Sequence, residues 1–174
     1  IIDLYNGNSD IKDKIVKTVG KPEARFTEDG LRMLRAIRFA AELDFDIEAE
    51  TEKAILEHSS LLKNISKERI RDEFVKMLMS DRPMKALLTL KKLNLLSYVV
   101  PELEKAVGVE QGGIHIYDVW EHLLHCVEHS AAKNYPLEIR LAALFHDISK
   151  PETRRAGDKE KAWTFYGHEV VGAR

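Results

Sequence analysis

The chain has 174 residues, 44% of them hydrophobic, with 27 Lys and Arg against 29 Asp and Glu and a formal net charge of -2. That is enough to bury a core in one domain or two small ones, while the near-neutral balance lacks the basic signature of a general nucleic-acid binder and leaves such a role to local clusters. The single cysteine, Cys126, excludes an internal disulfide framework and fits a reducing cytoplasm, and with no signal peptide, membrane span or lipidation motif in the sequence no membrane is expected as a partner.

In chain order, residues 1–21 read as a short strand around Ile1 to Tyr5, a turn at Asn6-Gly7-Asn8, and a short helix or strand from Ile15 to Val19. After Pro22 the pattern becomes almost wholly helical. Helices are predicted from Glu28 to Glu42 with Thr27 as N-cap, from Ala49 to Ser59, from Lys67 to Met79, and from Arg82 to Leu93, the last capped by Asp81 with Pro83 in its first turn. Short connections such as Asp44-Phe45-Asp46 and Ser80-Asp81 predict a compact bundle. Pro101, Gly108, Gly112 and Gly113 mark a boundary before Tyr117. Helices then run from Asp118 to about Lys133 and from Leu137 to about Ile148, followed by a polar loop from Glu152 to Lys161 and a helix beginning near His168.

Two groups of residues carry chemistry. Glu28 and Asp29 suit a first helical turn, and Asp29 and Arg32, three apart, offer acceptors beside donors on one surface. Such a pair either reads the amine-plus-acceptor edge shared by cytosine and adenine or is an ordinary surface ion pair. Arg35 and Arg38 follow at intervals of three and either meet phosphates or lie on a solvated face. Arg69 and Arg71 are expected to tie helices together through Glu73 or the start of the Glu28 helix. Further on, His146-Asp147 closes the apolar run Leu141 to Phe145, with Trp120-Glu121-His122 one helix earlier. This set either holds a divalent ion that would generate hydroxide near neutral pH, or forms a satisfied histidine pair in a core. His125 and His129 share spacing with His122 but are expected to be solvated or at the edge of the core, Cys126 to be a small core residue, and His58 to lie on the surface.

The run Val19-Gly20-Lys21-Pro22-Glu23-Ala24-Arg25-Phe26, then Glu28-Asp29 and Leu31-Arg32-Met33-Leu34-Arg35-Ala36-Ile37-Arg38-Phe39-Ala40, resembles the bacterial class II tRNA nucleotidyltransferases and their poly(A) polymerase relatives. Ile65-Ser66-Lys67-Glu68-Arg69-Ile70-Arg71-Asp72-Glu73-Phe74 resembles a further helix of that family's neck, and Ile2 to Ile11 the segment that closes its catalytic head, with Asn6 where a glycine pair is usual. The resemblance implies that Asp29 and Arg32 pair with the Watson-Crick edge of incoming CTP or ATP, that Glu28 orients the arginine, and that Arg35 belongs to the nucleotide site. It implies a tRNA or other RNA 3′ end as partner, with Mg2+ held at head carboxylates. The Gly-Ser followed by Asp-x-Asp that carries those carboxylates is missing here and the chain opens without Met, so a fragment unable to add nucleotides by itself is expected.

The later segments resemble the HD phosphohydrolase domain, which implies His122, His146 and Asp147 as ligands of a divalent metal and His168 as an additional site histidine. His115 matches a recurrent position and, with Asp118, would cap the first HD helix. Ser149 stands where Gly is usual, harmless provided the backbone there has no positive φ. The motif's distant Asp is not found before Arg174, leaving the set incomplete. The expected fold is mainly α: a β/turn remnant of the head over 1–21, a helical neck over 22–104 and a truncated HD-type domain over 105–174. The expected function is that of a cytoplasmic tRNA nucleotidyltransferase adding CCA or A residues, with a metal-dependent phosphohydrolase of phosphate or 2′,3′-cyclic phosphate ends, or a non-catalytic RNA-binding module, as alternatives. Oligomeric state and the identity of the metal stay open.

Overall fold

The structure is a computed structural model that describes residues 2–112, 115–157 and 163–173. Ile1 of the first predicted strand, Gly113 of the predicted boundary and positions 158–161 of the predicted loop lie outside the described residues. The chain divides into two units, the first ending at Val99 and the second starting at Val100. The architecture is mainly helical, as expected, and no described helix is long and apolar enough to cross a membrane.

In the first unit, residues 2–5 form no strand. Asp3 instead accepts from the Gly7 and Asn8 N–H groups at 2.8 and 2.9 Å, tying the start of helix α1 (Gly7–Lys12). Strand β1 (Ile15–Val16) pairs in parallel with β2 (Asp46–Ile47), which fastens these opening residues to the helices that follow.

The predicted helix from Glu28 is two helices, α2 (Pro22–Glu28) and α3 (Leu31–Leu43), so Thr27 lies inside α2 and caps nothing. The break lies at Asp29, whose backbone is extended (φ -152°, ψ 106°), while Gly30 after it is already right-handed helical. Gly30 is buried, and a Cβ built there would come within 3.2 Å of Leu61 Cβ and 3.3 Å of the Leu61 carbonyl oxygen. Gly30→Ala is therefore expected to lose about 1 kcal/mol net, overpacking of about 1–3 kcal/mol outweighing the backbone-entropy gain of about 0.4–1 kcal/mol. An unchanged urea midpoint would show that Leu61 yields freely.

Helices α4 (Ala49–His58), a 3-10 turn (Ser59–Asn64), α5 (Lys67–Met79) and α6 (Pro83–Lys92) complete the bundle, with short α7 (Leu96–Val99) after them. Helix α3 packs on α5 and α6, and α2 on α4. Leu34, Ile37, Met77, Leu87 and Leu90 are fully buried. At about 1.5–3 kcal/mol each, such side chains hold these helices through packing rather than propensity. Arg82, not Asp81, occupies the N-cap of α6, because Pro83 fixes the first helical position and Arg82 precedes it directly. Asp44 ends α3 in a left-handed conformation, φ 54°, and its carboxylate meets Lys85 at 3.0 Å and Arg82 at 3.1 Å.

The second unit opens with α8 (Pro101–Lys105) and is built on α9 (Val119–Ala132) packed against α10 (Leu137–Phe145). Asp118 starts α9 through a capping box: it accepts from the Glu121 N–H at 2.7 Å while Glu121 reaches back to the Asp118 N–H. Its other oxygen accepts from the Gly108 N–H at 2.7 Å. Val119, Leu123, Leu124, Val127 and Leu144 are fully buried. Where a polar loop is predicted there is a short helix α11 (Lys150–Thr153) and a hairpin of β3 (Arg155–Ala156) with β4 (Trp163–Thr164). Helix α12 (His168–Gly172) follows.

Candidate functional site

Of the residues singled out in the first unit, Glu28, Asp29 and Arg32 lie at the junction of α2 and α3. Glu28, the last residue of α2, accepts from Arg32 at 2.8 Å and from Arg25 at 3.1 Å, so one carboxylate fixes two guanidinium groups. The Arg32 hydrogen bond, aided by Arg25, holds the Glu28 carboxyl below its ordinary value. Arg25 is anchored further by donating to the Val19 carbonyl at 2.9 Å.

Asp29 does not pair with Arg32. One of its oxygens accepts from the Leu31 N–H at 3.1 Å, starting α3, and the other from Arg69 of α5 at 2.8 Å. Burial works against its charge, but Arg69 and the Leu31 N–H outweigh that and lower its pKa. Arg69 thus ties α5 to the start of α3 as expected, whereas among the described residues Arg71 pairs with its neighbour Asp72.

Arg25, Arg32 and Arg35 line a cleft of about 410 Å3 with Val16, Ala36 and Phe39. Arg35 is exposed there. Arg38 is not a phosphate ligand in waiting: its side chain is 12% exposed and donates to Glu73 at 2.7 Å and Glu42 at 2.8 Å.

In the second unit His122 of α9, and His146 and Asp147 after α10, converge. The His122 and His146 Nε2 atoms are 3.2 Å apart, and they lie 3.5 and 3.3 Å from Asp147 Oδ2. Three donors spaced this way match neighbouring ligands on one ion with bonds of about 2.0–2.2 Å, so the residues present fit a divalent metal. Their orientation fits too. The Ala143 carbonyl accepts from His146 Nδ1 at 3.0 Å, which leaves Nε2 as the free lone pair facing the other donors.

His168 meets the other oxygen of Asp147, Nε2 to Oδ1 at 3.3 Å, while its Nδ1 contacts the Phe165 carbonyl at 2.7 Å. Ser149 has φ -94°, so no glycine is needed there, and its hydroxyl donates to the His168 carbonyl.

Two participants carry no role in the sequence reading. Lys150, with a side chain only 11% exposed, donates to Gln111 Oε1 at 2.7 Å and lies 2.7 Å from Asp147 Oδ2. Its position three residues after Asp147 is the signal that could have found it. Cys126 is half-buried rather than core, with Sγ 3.7 Å from His122 Nε2, and with His122 and His146 it forms a group spaced to hold a metal. The i,i+4 spacing from His122 was its signal.

Burial depresses the His122 pKa, while the Asp147 hydrogen bond raises that of His146. Burial opposes the Asp147 charge, but His146 and Lys150 overcome it and hold the carboxyl far below its ordinary value. His125 and His129 are exposed, and His125 stacks on Tyr117 at 4.3 Å.

Comparison with known proteins gives two adjoining matches: a family model described as the probable RNA and SrmB-binding site of polymerase A over residues 44–107, and the HD domain over residues 112–174. The chain is 39% identical to the CC-adding tRNA nucleotidyltransferase of Thermus thermophilus over 87% of its own length, and 35% identical to the A-adding tRNA nucleotidyltransferase of Deinococcus radiodurans over 99%. It spans only 36% and 41% of those relatives. The Bacillus stearothermophilus CCA-adding enzyme, solved in complex with CTP, superposes with a TM-score of 0.59 and 31% identity over 82% of this chain and 39% of that one. The Thermotoga maritima CCA-adding enzyme, solved with tRNA, shares the fold at a TM-score of 0.55 and 20% identity, over 87% of this chain and 43% of that one. The two family models and these relatives identify the chain as a neck-plus-HD region of the class II CCA-adding enzyme kind.

Proposed function

We propose that the protein to which these residues belong is a cytoplasmic, template-independent tRNA nucleotidyltransferase that extends tRNA 3′ ends with CCA or part of it, and that this stretch selects the incoming CTP or ATP. The observation that carries the proposal is Arg32, fixed by Glu28 at 2.8 Å at the edge of a cleft lined by Arg25 and Arg35. A guanidinium held by a carboxylate keeps donors aimed at one place, and Asp29, which in this structure lines a separate cavity with Arg69, would add an acceptor on turning toward the cleft. A guanine or uracil edge would leave these groups facing like partners, and unmet polar groups discriminate more strongly than good contacts attract. The Arg25 and Arg35 guanidinium groups supply the positive charge a triphosphate needs. The names of the relatives, CC-adding and A-adding, and the CTP bound in the Bacillus stearothermophilus enzyme support the same assignment.

Equilibrium dialysis against labelled CTP, ATP and GTP tests it. CTP and ATP are expected to bind and GTP not, with Arg32→Ala weakening CTP and ATP about 10–100-fold, the loss of about 1–3 kcal/mol that a base-reading contact carries. Asp29→Ala should abolish discrimination as well as loosen α3. Equal retention of GTP would refute base selection here.

The convergence on Asp147 favours a second reading for the other unit: a divalent-metal site held by His122, His146 and Asp147, with His168 on the outer carboxylate oxygen. A bound ion would supply positive charge against a phosphate and acidify water. Asp147 would anchor it, the Ala143 carbonyl would keep the His146 lone pair aimed inward, and Lys150, 2.7 Å from Asp147 Oδ2, would hold a second positive charge beside it.

A further inference from the structure

The HD residues carried by resemblance are two nitrogens and one oxygen, yet the structure brings a further donor to them. Cys126 follows His122 by one turn of α9, and its Sγ lies 3.7 Å from His122 Nε2 and 4.0 Å from Nδ1. The core stripe of that helix is Val119, Leu123, Leu124, Val127 and Ala131, all at most 2% exposed, and Cys126 stands beside it rather than in it. Its Sγ, the His122 nitrogen and the His146 nitrogen lie within 4.8 Å of one another.

The separations discriminate between coordination geometries. With bonds of about 2.0–2.2 Å to nitrogen and oxygen and about 2.3 Å to sulfur, tetrahedral angles place N/O donors about 3.3–3.6 Å apart and a sulfur about 3.6 Å from a nitrogen. Right angles, as in the octahedral sites that magnesium demands, shrink these to about 2.8–3.1 Å and about 3.1 Å. The observed edges are 3.2 Å between nitrogens, 3.3 and 3.5 Å from nitrogen to oxygen, and 3.7 Å from nitrogen to sulfur. The edges to oxygen and to sulfur lie near the tetrahedral values, and the 3.2 Å edge between nitrogens falls between the two ranges.

We propose that Cys126 is a further donor of the metal site, joining His122 and His146 beside Asp147, and that its sulfur makes the site take a zinc-class ion in preference to Mg2+ or Mn2+. The proposal rests on the divalent-metal reading of that site. Thiolate is a soft donor that suits zinc and disfavours hard, oxygen-seeking ions. Binding releases the thiol proton to solvent, so two imidazoles, one carboxylate and one thiolate carry two negative charges against a dication.

Cobalt(II) is the probe, because thiolate coordination gives a charge-transfer band in the near ultraviolet while tetrahedral coordination gives intense visible bands. Titration of the metal-free chain with Co2+ should give both. Cys126→Ala, checked for an unchanged far-ultraviolet circular dichroism spectrum, should lose the ultraviolet band, keep bound cobalt, and bind Zn2+ at least tenfold more weakly with Mn2+ affinity unaltered. Cobalt bound without the ultraviolet band, or Zn2+ held equally by Cys126→Ala, would remove Cys126 from the site and leave the histidine and aspartate donors standing. No uptake of either Co2+ or Zn2+ by the unaltered chain would overturn the metal reading itself, and the cysteine's role with it.

Discussion

Asp147→Ala is expected to destabilise the second unit by about 3–5 kcal/mol in the presence of chelator, the loss typical of removing one partner from a buried ion pair. The Asp147 side chain is 6% exposed, and it serves Lys150 at 2.7 Å, His146 at 3.3 Å and His168 at 3.3 Å. Its removal leaves the buried Lys150 ammonium with the Gln111 carbonyl oxygen and the face of Phe165.

The pH dependence follows from the directions of the shifts. Because the folded state lowers the Asp147 pKa, its contribution is fully present above the ordinary value of 3.8 and is lost as the pH falls below it. Because the folded state raises the His146 pKa, that contribution is present below 6.5 and is lost as the pH rises through the raised value. The gap between wild type and variant should therefore be widest at mildly acidic pH and narrow on either side. Urea midpoints at pH 3, 5.5 and 8 measure it, and a pH-independent gap would show that the Asp147 contacts are not charge-dependent.

Glu73→Ala should cost the first unit about 3 kcal/mol, at the low end of the range for a broken buried pair because Arg38 retains Glu42 at 2.8 Å. The Glu73 side chain is 5% exposed and joins α5 to Arg38 of α3 at 2.7 Å. Burial alone would lower the Arg38 pKa, yet Glu42 and Glu73 raise it, so the guanidinium stays charged inside the bundle. Glu73→Gln, which keeps an acceptor, should lose less. The urea midpoint of the isolated variant decides the matter, and a loss below 1 kcal/mol would mean that Glu42 alone satisfies Arg38.

Helix α5 was legible to the residue because its apolar spacing from Ile70 to Leu78 is local information. The break at Asp29-Gly30 was not, because Glu28 to Arg32 is a good helix start on its own, whereas the extended backbone of Asp29 goes with a carboxylate held by Arg69 of α5, a distant partner. Ile2 to Tyr5 alternates like a strand but among the described residues has no partner strand, and Asp3 turns to α1 instead. At the HD site, His122, His146 and Asp147 could be brought together by motif order alone. Cys126 was hidden because a small apolar side chain on an amphipathic helix reads as core until the rotation of α9 about its axis is known. Asp29 and Arg32 were legible as neighbours, but their separate partners, Arg69 and Glu28, are matters of tertiary packing.

Those separate partners have a mechanical consequence. Arg32 is moored to α2, which rests on α4, while Asp29 is moored to α5, which rests on α3. The distance from acceptor to donor is therefore set by the gap between two supporting helices and not by the short turn that carries both residues. On the base-selection proposal, a substitution far from the cleft that shears α2 against α5 would alter base preference without touching Arg32 or Asp29.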